Sequence, residues 1–260
     1  YSNEFIFQMS ILLYAVIALI LMLSPVIFVP DNTGKNISKA EMNYDKKHEG
    51  IFDNMLEVWK DKNYRILLIA ELIYWFPQKI FVSAVPYFVV ALFKLDIVYT
   101  SIILYSVGIV SLAFYPMIDK LVDKFGKKKV MRSALLSLVI GFAFTGSIGL
   151  YKIPTILFVV IYIILNTYPA AVLGILPMAL AGDNAEKDFK ATGIAKNASY
   201  YAFKTFMMKI GVAITSLIFP SLLLLGKTPN NPFGIRMVAL VSMFASLAAY
   251  WVMRKYEDIG

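Results

Sequence analysis

Long stretches without a charged residue alternate with short polar, lysine-rich ones along the whole chain. Between Glu4 and Asp31 lie 26 residues with no charge. Further charge-free runs cover 80–93, 97–118, 133–151, 153–182, 210–226 and 237–253. A membrane-crossing helix needs about 20 mostly apolar residues. The pattern therefore predicts about seven transmembrane helices, over 5–30, 66–93, 97–118, 133–151, 154–181, 199–225 and 237–253. The expected fold class is all-α, a polytopic membrane helix bundle. The first run is too long for the apolar part of a signal peptide and has no basic segment before it.

Composition agrees. Of 260 residues, 59% are hydrophobic and 16% charged, against about 45–50% and about 25% in a soluble domain. The chain has no cysteine, which excludes disulfides, zinc thiolates and thiol catalysis. It begins at Tyr1 rather than Met, and sequence is expected upstream.

The net charge of +8 is explained by where the lysines and arginines fall. The segment 31–65, the loop from Lys120 to Arg132, the loop holding Lys187, Lys190 and Lys196, and the tail with Arg254 and Lys255 together carry eighteen of them. The other ends of the spans carry four: Lys94, Lys152, Lys227 and Arg236. The positive-inside rule predicts a cytoplasmic basic face and tail. No nucleic-acid partner is required.

Smaller patterns refine this picture. The polar segment opens with Asp31, Asn32, Thr33 and Gly34, contains His48, and then spaces Ile51, Phe52, Met55, Leu56 and Trp59 as on an amphipathic surface helix. That helix reads as a linker between two bundles, with a lipid or protein sensor as the alternative. Ser133, Ser137, Gly141, Thr145 and Gly149 recur at every fourth position and predict a close-packing face. Pro77 and Pro86 predict breaks in one helix, and Pro169 and Pro177 in another.

Four ionisable residues fall inside spans: Glu71, Lys79, Lys204 and Lys209. Each costs at least about 2.5–3.5 kcal/mol at mid-bilayer unless it faces a partner or a cavity. Lys209 sits near the midplane, so a functional or ion-pairing role is expected. Lys204 is shallower and is expected to reach water. Glu71, Tyr74, Trp75 and Gln78 share one helix face. A carboxylate and an amide beside aromatic rings suit a polyol; an interfacial aromatic belt with a wet Glu71 is the alternative. Lys79 is too far along the helix to be a simple i+4 partner of Glu71. No catalytic constellation, metal-ligand set or phosphate loop occurs, so neither an enzyme nor a cofactor is expected.

The stretch DKLVDKFGKKKVM, Asp119 to Met131, resembles the signature loop of the major facilitator superfamily in its second-half position, with Asp119, Asp123 and the turn residue Gly126. Asp123 can receive a basic or helix-end partner there. Leu176 to Gly211 resembles the helix ten to eleven region of the glycoside–pentoside–hexuronide cation symporters, which are melibiose-permease-like. The matching positions are Asp183, Glu186, Thr192, Gly193, Lys196, Lys209 and Gly211. Pro86 to Phe93 resembles the end of that family's helix seven. The sequence departs from the pattern at Glu186, Asn197 and Lys204.

The resemblance implies a C-terminal transporter half. Residues 1–30 would hold helix six, 31–65 the central cytoplasmic loop with its amphipathic helix, and 66–260 the six-helix C-terminal bundle. It implies a plasma (inner) membrane protein that moves a sugar with Na+ or H+ by alternating access. Lys209, Glu71, Tyr74, Trp75, Gln78 and Lys79 would lie along the substrate and cation pathway. Asp119, Asp123, Gly126, Asp183, Glu186 and Lys196 would serve the cytoplasmic gate. The partners implied are a small molecule, membrane lipid and the missing N-terminal half, without which the chain is not expected to transport. A lysophospholipid carrier, a non-transporting membrane interaction protein and an oligomeric pore are the rival readings.

Overall fold

Within a hydrocarbon layer the backbone must satisfy its own hydrogen bonds, which restricts an apolar chain to helices or a closed barrel. The computed structural model describes residues 2–28, 51–150 and 154–259. Among them the long elements are all helices: α1 Ser2–Phe28, α2 Ile51–Trp59, α3 Lys62–Tyr87, α4 Tyr99–Phe125, α5 Lys127–Ser147, α6 Thr155–Thr192, α7 Asn197–Leu223 and α8 Phe233–Met253. The polar run 31–50 with His48, and Lys152, lie outside the described residues, as do the side chains of Ile51 and Phe52. The chain divides into two units, Tyr1–His48 with α1 and Glu49–Gly260 with α2 to α8.

Among the described residues six helices, α3 to α8, are long and apolar enough to cross a membrane, and α1 carries a shorter apolar stretch, Gln8–Leu23. The chain is a multi-pass membrane protein with an all-α fold. Several helices overrun the expected spans. The basic loop from Lys120 to Arg132 is mostly helix, interrupted only at Gly126. Gly126 takes φ 83° between α4 and α5, in the region that excludes most side chains.

The expected proline breaks do not occur. Pro77 and Pro86 lie inside α3, and Pro169 and Pro177 inside the uninterrupted 38-residue α6. Each proline removes one donor, and the neighbouring bonds carry the helix through. After Pro86 the ladder widens instead. A π-helical turn, Phe88–Leu92, extends α3, and the Phe93 N–H bonds the Phe88 carbonyl at 2.9 Å.

In the second unit, α3 packs against α7 and α8, α5 against α6 and α8, and α4 against α6. The small-residue face of α5 does meet α6: the Ser137 hydroxyl donates to the Leu165 carbonyl at 3.0 Å, and Gly141 faces Asn166. Gly149 lies past the end of that helix. At the same end Arg236 of α8 donates to the Gly146 and Ile148 carbonyls that close α5. Tyr162 of α6 is ringed by Phe81, Phe88 and Phe93, with centroids 5.8–6.4 Å away.

The linker helix α2 turns part of the expected apolar face to the bundle, with Met55 and Trp59 packed against the core. Leu56 is exposed, while Val58 is buried and Trp59 stacks against Phe203 of α7 at 5.5 Å. Packing on α7 adds Val58 to the buried side and leaves Leu56 at the solvent side, because α2 rests on protein.

Candidate functional site

Among the described residues two polar clusters stand out, one inside the spans and one at the ends of α2, α5 and α6. The inner cluster begins with the start of α3. Asp61 caps that helix, accepting from the Asn63 and Tyr64 amides at 2.8 and 3.2 Å. Nine residues into α3, about 14 Å along it, stands Glu71. Its side chain is fully buried, so the wet, interfacial alternative does not hold.

The Glu71 Oε1 accepts from three donors. Lys204 Nζ of α7 lies 2.7 Å away, and the Tyr74 hydroxyl and Trp75 Nε1 each lie 3.2 Å away. The other oxygen, Oε2, is buried with no hydrogen-bond partner. Lys204 is 7% exposed. It therefore does not reach water, as its shallow position suggested: a carboxylate on the facing helix holds it in the bundle. Just beyond the pair, α3 and α7 come into close contact. A Cβ on Gly211 would lie 2.8 Å from the Leu72 carbonyl oxygen and 2.9 Å from the Trp75 Cβ. That contact accounts for the small residue in the Lys-x-Gly sequence.

The remaining pathway candidates divide by exposure. Tyr74 is buried with Glu71, whereas Trp75, Gln78 and Lys79 are half-buried. Lys209, thirteenth of the 27 residues of α7, is exposed and makes no ion pair among the described residues. The four residues that share one face of α3 are thus not one open wall, because the packing of α7 turns Glu71 and Tyr74 inward.

The second cluster gathers residues from five helix ends and the tail. Lys127 at the start of α5 pairs with Asp183 of α6 at 2.6 Å. Lys196, only 5% exposed, bridges Glu57 of α2 at 2.8 Å and Asp188 of α6 at 3.1 Å. Burial pushes the Lys196 ammonium down, but its hydrogen bonds to the two carboxylates hold it above the ordinary lysine range. Glu186 pairs only with Lys190 on its own helix, and both are exposed. Asp119 and Asp123 are exposed on α4 and make no ion pair among the described residues.

The helix-end contact expected for Asp123 is taken by another carboxylate. The Lys128 amide at the start of α5 donates to Asp258 Oδ2 at 3.3 Å, and that carboxylate lies against Gly126. The tail is held by Asn63, whose amide nitrogen donates to the Glu257 carbonyl at 3.0 Å while its oxygen accepts from the Glu257 N–H at 2.7 Å. Asn184 donates to the fully buried Tyr256 hydroxyl at 2.8 Å. Asn63 and Asn184 were not singled out from sequence. The available signal was two amide side chains in otherwise apolar or charged helical contexts.

These contacts bring Lys127, Lys196 and the tail to one end of the second unit. Among the described residues no group of His, Cys, Asp and Glu could hold a metal ion. No curated protein matches the chain. The family model for "MFS/sugar transport protein" matches residues 2–231, which include α1 to α7. On six membrane-crossing helices, a buried intramembrane ion pair and that match, the chain belongs to the MFS/sugar transport protein family of the major facilitator superfamily.

Proposed function

We propose that the chain is the C-terminal half of a cation-coupled sugar symporter of the glycoside–pentoside–hexuronide type. In this reading 1–30 is helix six, 31–65 the central loop, and 66–260 the C-terminal bundle. The observation that carries the reading is Lys209. An unpaired ammonium in the middle of an apolar helix is not stable against hydrocarbon, and such groups face a cavity or an opposite charge. Lys209 is exposed on this chain, so the surface that receives it would belong to an N-terminal half with acidic residues. Trp75, Gln78 and Lys79, each half-buried on α3, would contribute this half's part of the solute cavity. Access would alternate by rocking of the two halves around that midplane site.

The charge asymmetry supports a cytoplasmic basic end and tail in the plasma (inner) membrane. Asp119, Asp123 and Glu186 make no ion pair with a neighbouring helix among the described residues. They are the gate groups available to another half. Asp183 and Lys196 would stiffen this half's side of the gate, since both are paired within it.

The test is uptake by proteoliposomes carrying the full native reading frame, offered labelled glycosides, pentosides, hexuronides and a lysolipid under Na+ or H+ gradients. Gradient-driven accumulation of one sugar class is expected, and Lys209→Ala should abolish the coupling. Lysolipid movement without sugar uptake would replace the reading with a lipid carrier. Unchanged coupled uptake by Lys209→Ala would remove that residue from the mechanism.

A further inference from the structure

An ionised carboxylate offers about four lone-pair sites and is costly to bury unless they are used. Glu71 uses them unequally. Lys204 Nζ, the Tyr74 hydroxyl and Trp75 Nε1 all donate to Oε1, while the fully buried Oε2 has no partner. The three donors fix Oε1 as an acceptor whether or not the group carries a proton. Oε2 can gain a proton without any existing hydrogen bond being broken.

We propose that Glu71 is a proton-binding site inside this half of the transporter, with Lys204 as its counter-charge; as a coupling site it rests on the symporter reading above. One proton adds to Oε2 and the carboxylate becomes a neutral carboxyl. Lys204 keeps its hydrogen bond to Oε1, now the carbonyl oxygen. The pair thereby passes from no net charge to a single buried ammonium. That state is favourable when a ligand oxygen or an acidic group comes against Lys204, so proton and ligand occupancy reinforce each other.

The geometry selects a proton over a metal cation. A metal cation needs several oxygen ligands, and Oε2 is a single free acceptor. The ammonium 2.7 Å from the other oxygen of the same carboxylate would also repel it. The ionisable groups around Glu71 are Lys204 of α7 and Tyr64 and Tyr74 of α3, with Tyr200 and Tyr201 of α7 near Tyr64. The Tyr64 hydroxyl is committed to the Tyr200 carbonyl. From α2, α4, α6 and α8, which also pack on α3, no acidic or basic side chain bonds Glu71 among the described residues. Tyr74 is buried and Trp75 half-buried beside Glu71.

The experiment is infrared difference spectroscopy of the purified chain in lipid, titrated from acid to alkaline pH. A carboxylic-acid C=O band that appears on acidification is expected in the wild type. It should be lost in Glu71→Gln and persist at least about 1 pH unit higher in Lys204→Met, where the counter-charge is gone. Glu71→Asp retains a carboxyl and should shift the band rather than remove it, which covers the case of Glu71→Gln failing to fold. A band unchanged in Glu71→Gln and Glu71→Asp, or no band in the folded wild type, overturns the proposal. The uptake assay separates the two ideas: a titrating Glu71 in a protein that moves no sugar retains the proton site and removes the symporter. Na+-driven sugar uptake without a Glu71 band does the reverse.

Discussion

Gly211 of α7 faces the backbone carbonyl of Leu72 on α3 so closely that an added Cβ would lie 2.8 Å from that oxygen. The contact sits two turns along α7 from Lys204 and one residue along α3 from Glu71. It brings the helices close enough for the ion pair to form inside the bundle.

Gly211→Ala is therefore expected to destabilise the bundle by about 1–3 kcal/mol, the usual cost of overpacking. The blocking atoms are a backbone carbonyl and the Trp75 Cβ rather than the end of a flexible side chain. Thermal unfolding in detergent measures the loss, and Trp75 fluorescence should shift with it. A variant as stable as the wild type would mean that α3 and α7 do not approach this closely.

The Lys196 bridge should hold α2 on the bundle. Lys196→Met is expected to raise hydrogen exchange across 51–59 while α5 and α8 stay protected, because Glu57 loses the ammonium that anchors it. The pH dependence follows from the raised ammonium. Its contribution is fully present below the unfolded lysine value of about 10.4 and is lost as pH rises through the higher folded value. Exchange of α2 in the wild type should thus rise in strongly alkaline solution, and in Lys196→Met this step should be absent. Equal exchange in both proteins at neutral pH would show that the apolar contacts of Val58 and Trp59 suffice.

Asn63 makes two hydrogen bonds with the backbone of Glu257, and its replacement should free the tail. Asn63→Ala is expected to cost about 1–3 kcal/mol, since the Glu257 amide and carbonyl lose their partner. Limited proteolysis after Arg254 and Lys255 should become faster. Asn63→Asp keeps the acceptor for the Glu257 N–H and should restore part of the protection. Unaltered cleavage in Asn63→Ala would leave Tyr256 and Asn184 as the anchor.

Much of the fold was legible along the chain. Charge-free runs marked α3 to α8, since the bilayer demands a length of apolar helix whatever the neighbours are. Gly126 marked the α4–α5 turn, and the lysines marked which helix ends share a side. The site was less legible. Glu71 and Lys209 were found because an ionisable residue within an apolar run is conspicuous, but Lys204 was read as wet. Depth along one helix axis can be counted from sequence. The face turned toward another helix depends on the crossing, and α3 and α7 are more than one hundred residues apart in the chain. The same reason hid the tail contacts, where Asp258 rather than Asp123 meets the start of α5.

The sequence by itself determined a membrane-spanning all-helical chain, the approximate position of each span, the clustering of basic loops at one end, and which charges lie within apolar helices. These follow from local apolarity, backbone hydrogen bonding and electrostatic cost, which act residue by residue. Only the tertiary structure decided that Lys204 pairs with Glu71, that Lys209 stays open on the surface, and that one carboxylate oxygen is left without a donor. Those outcomes depend on azimuth and on a close backbone approach at Gly211, and packing fixes both only when all the helices are in place.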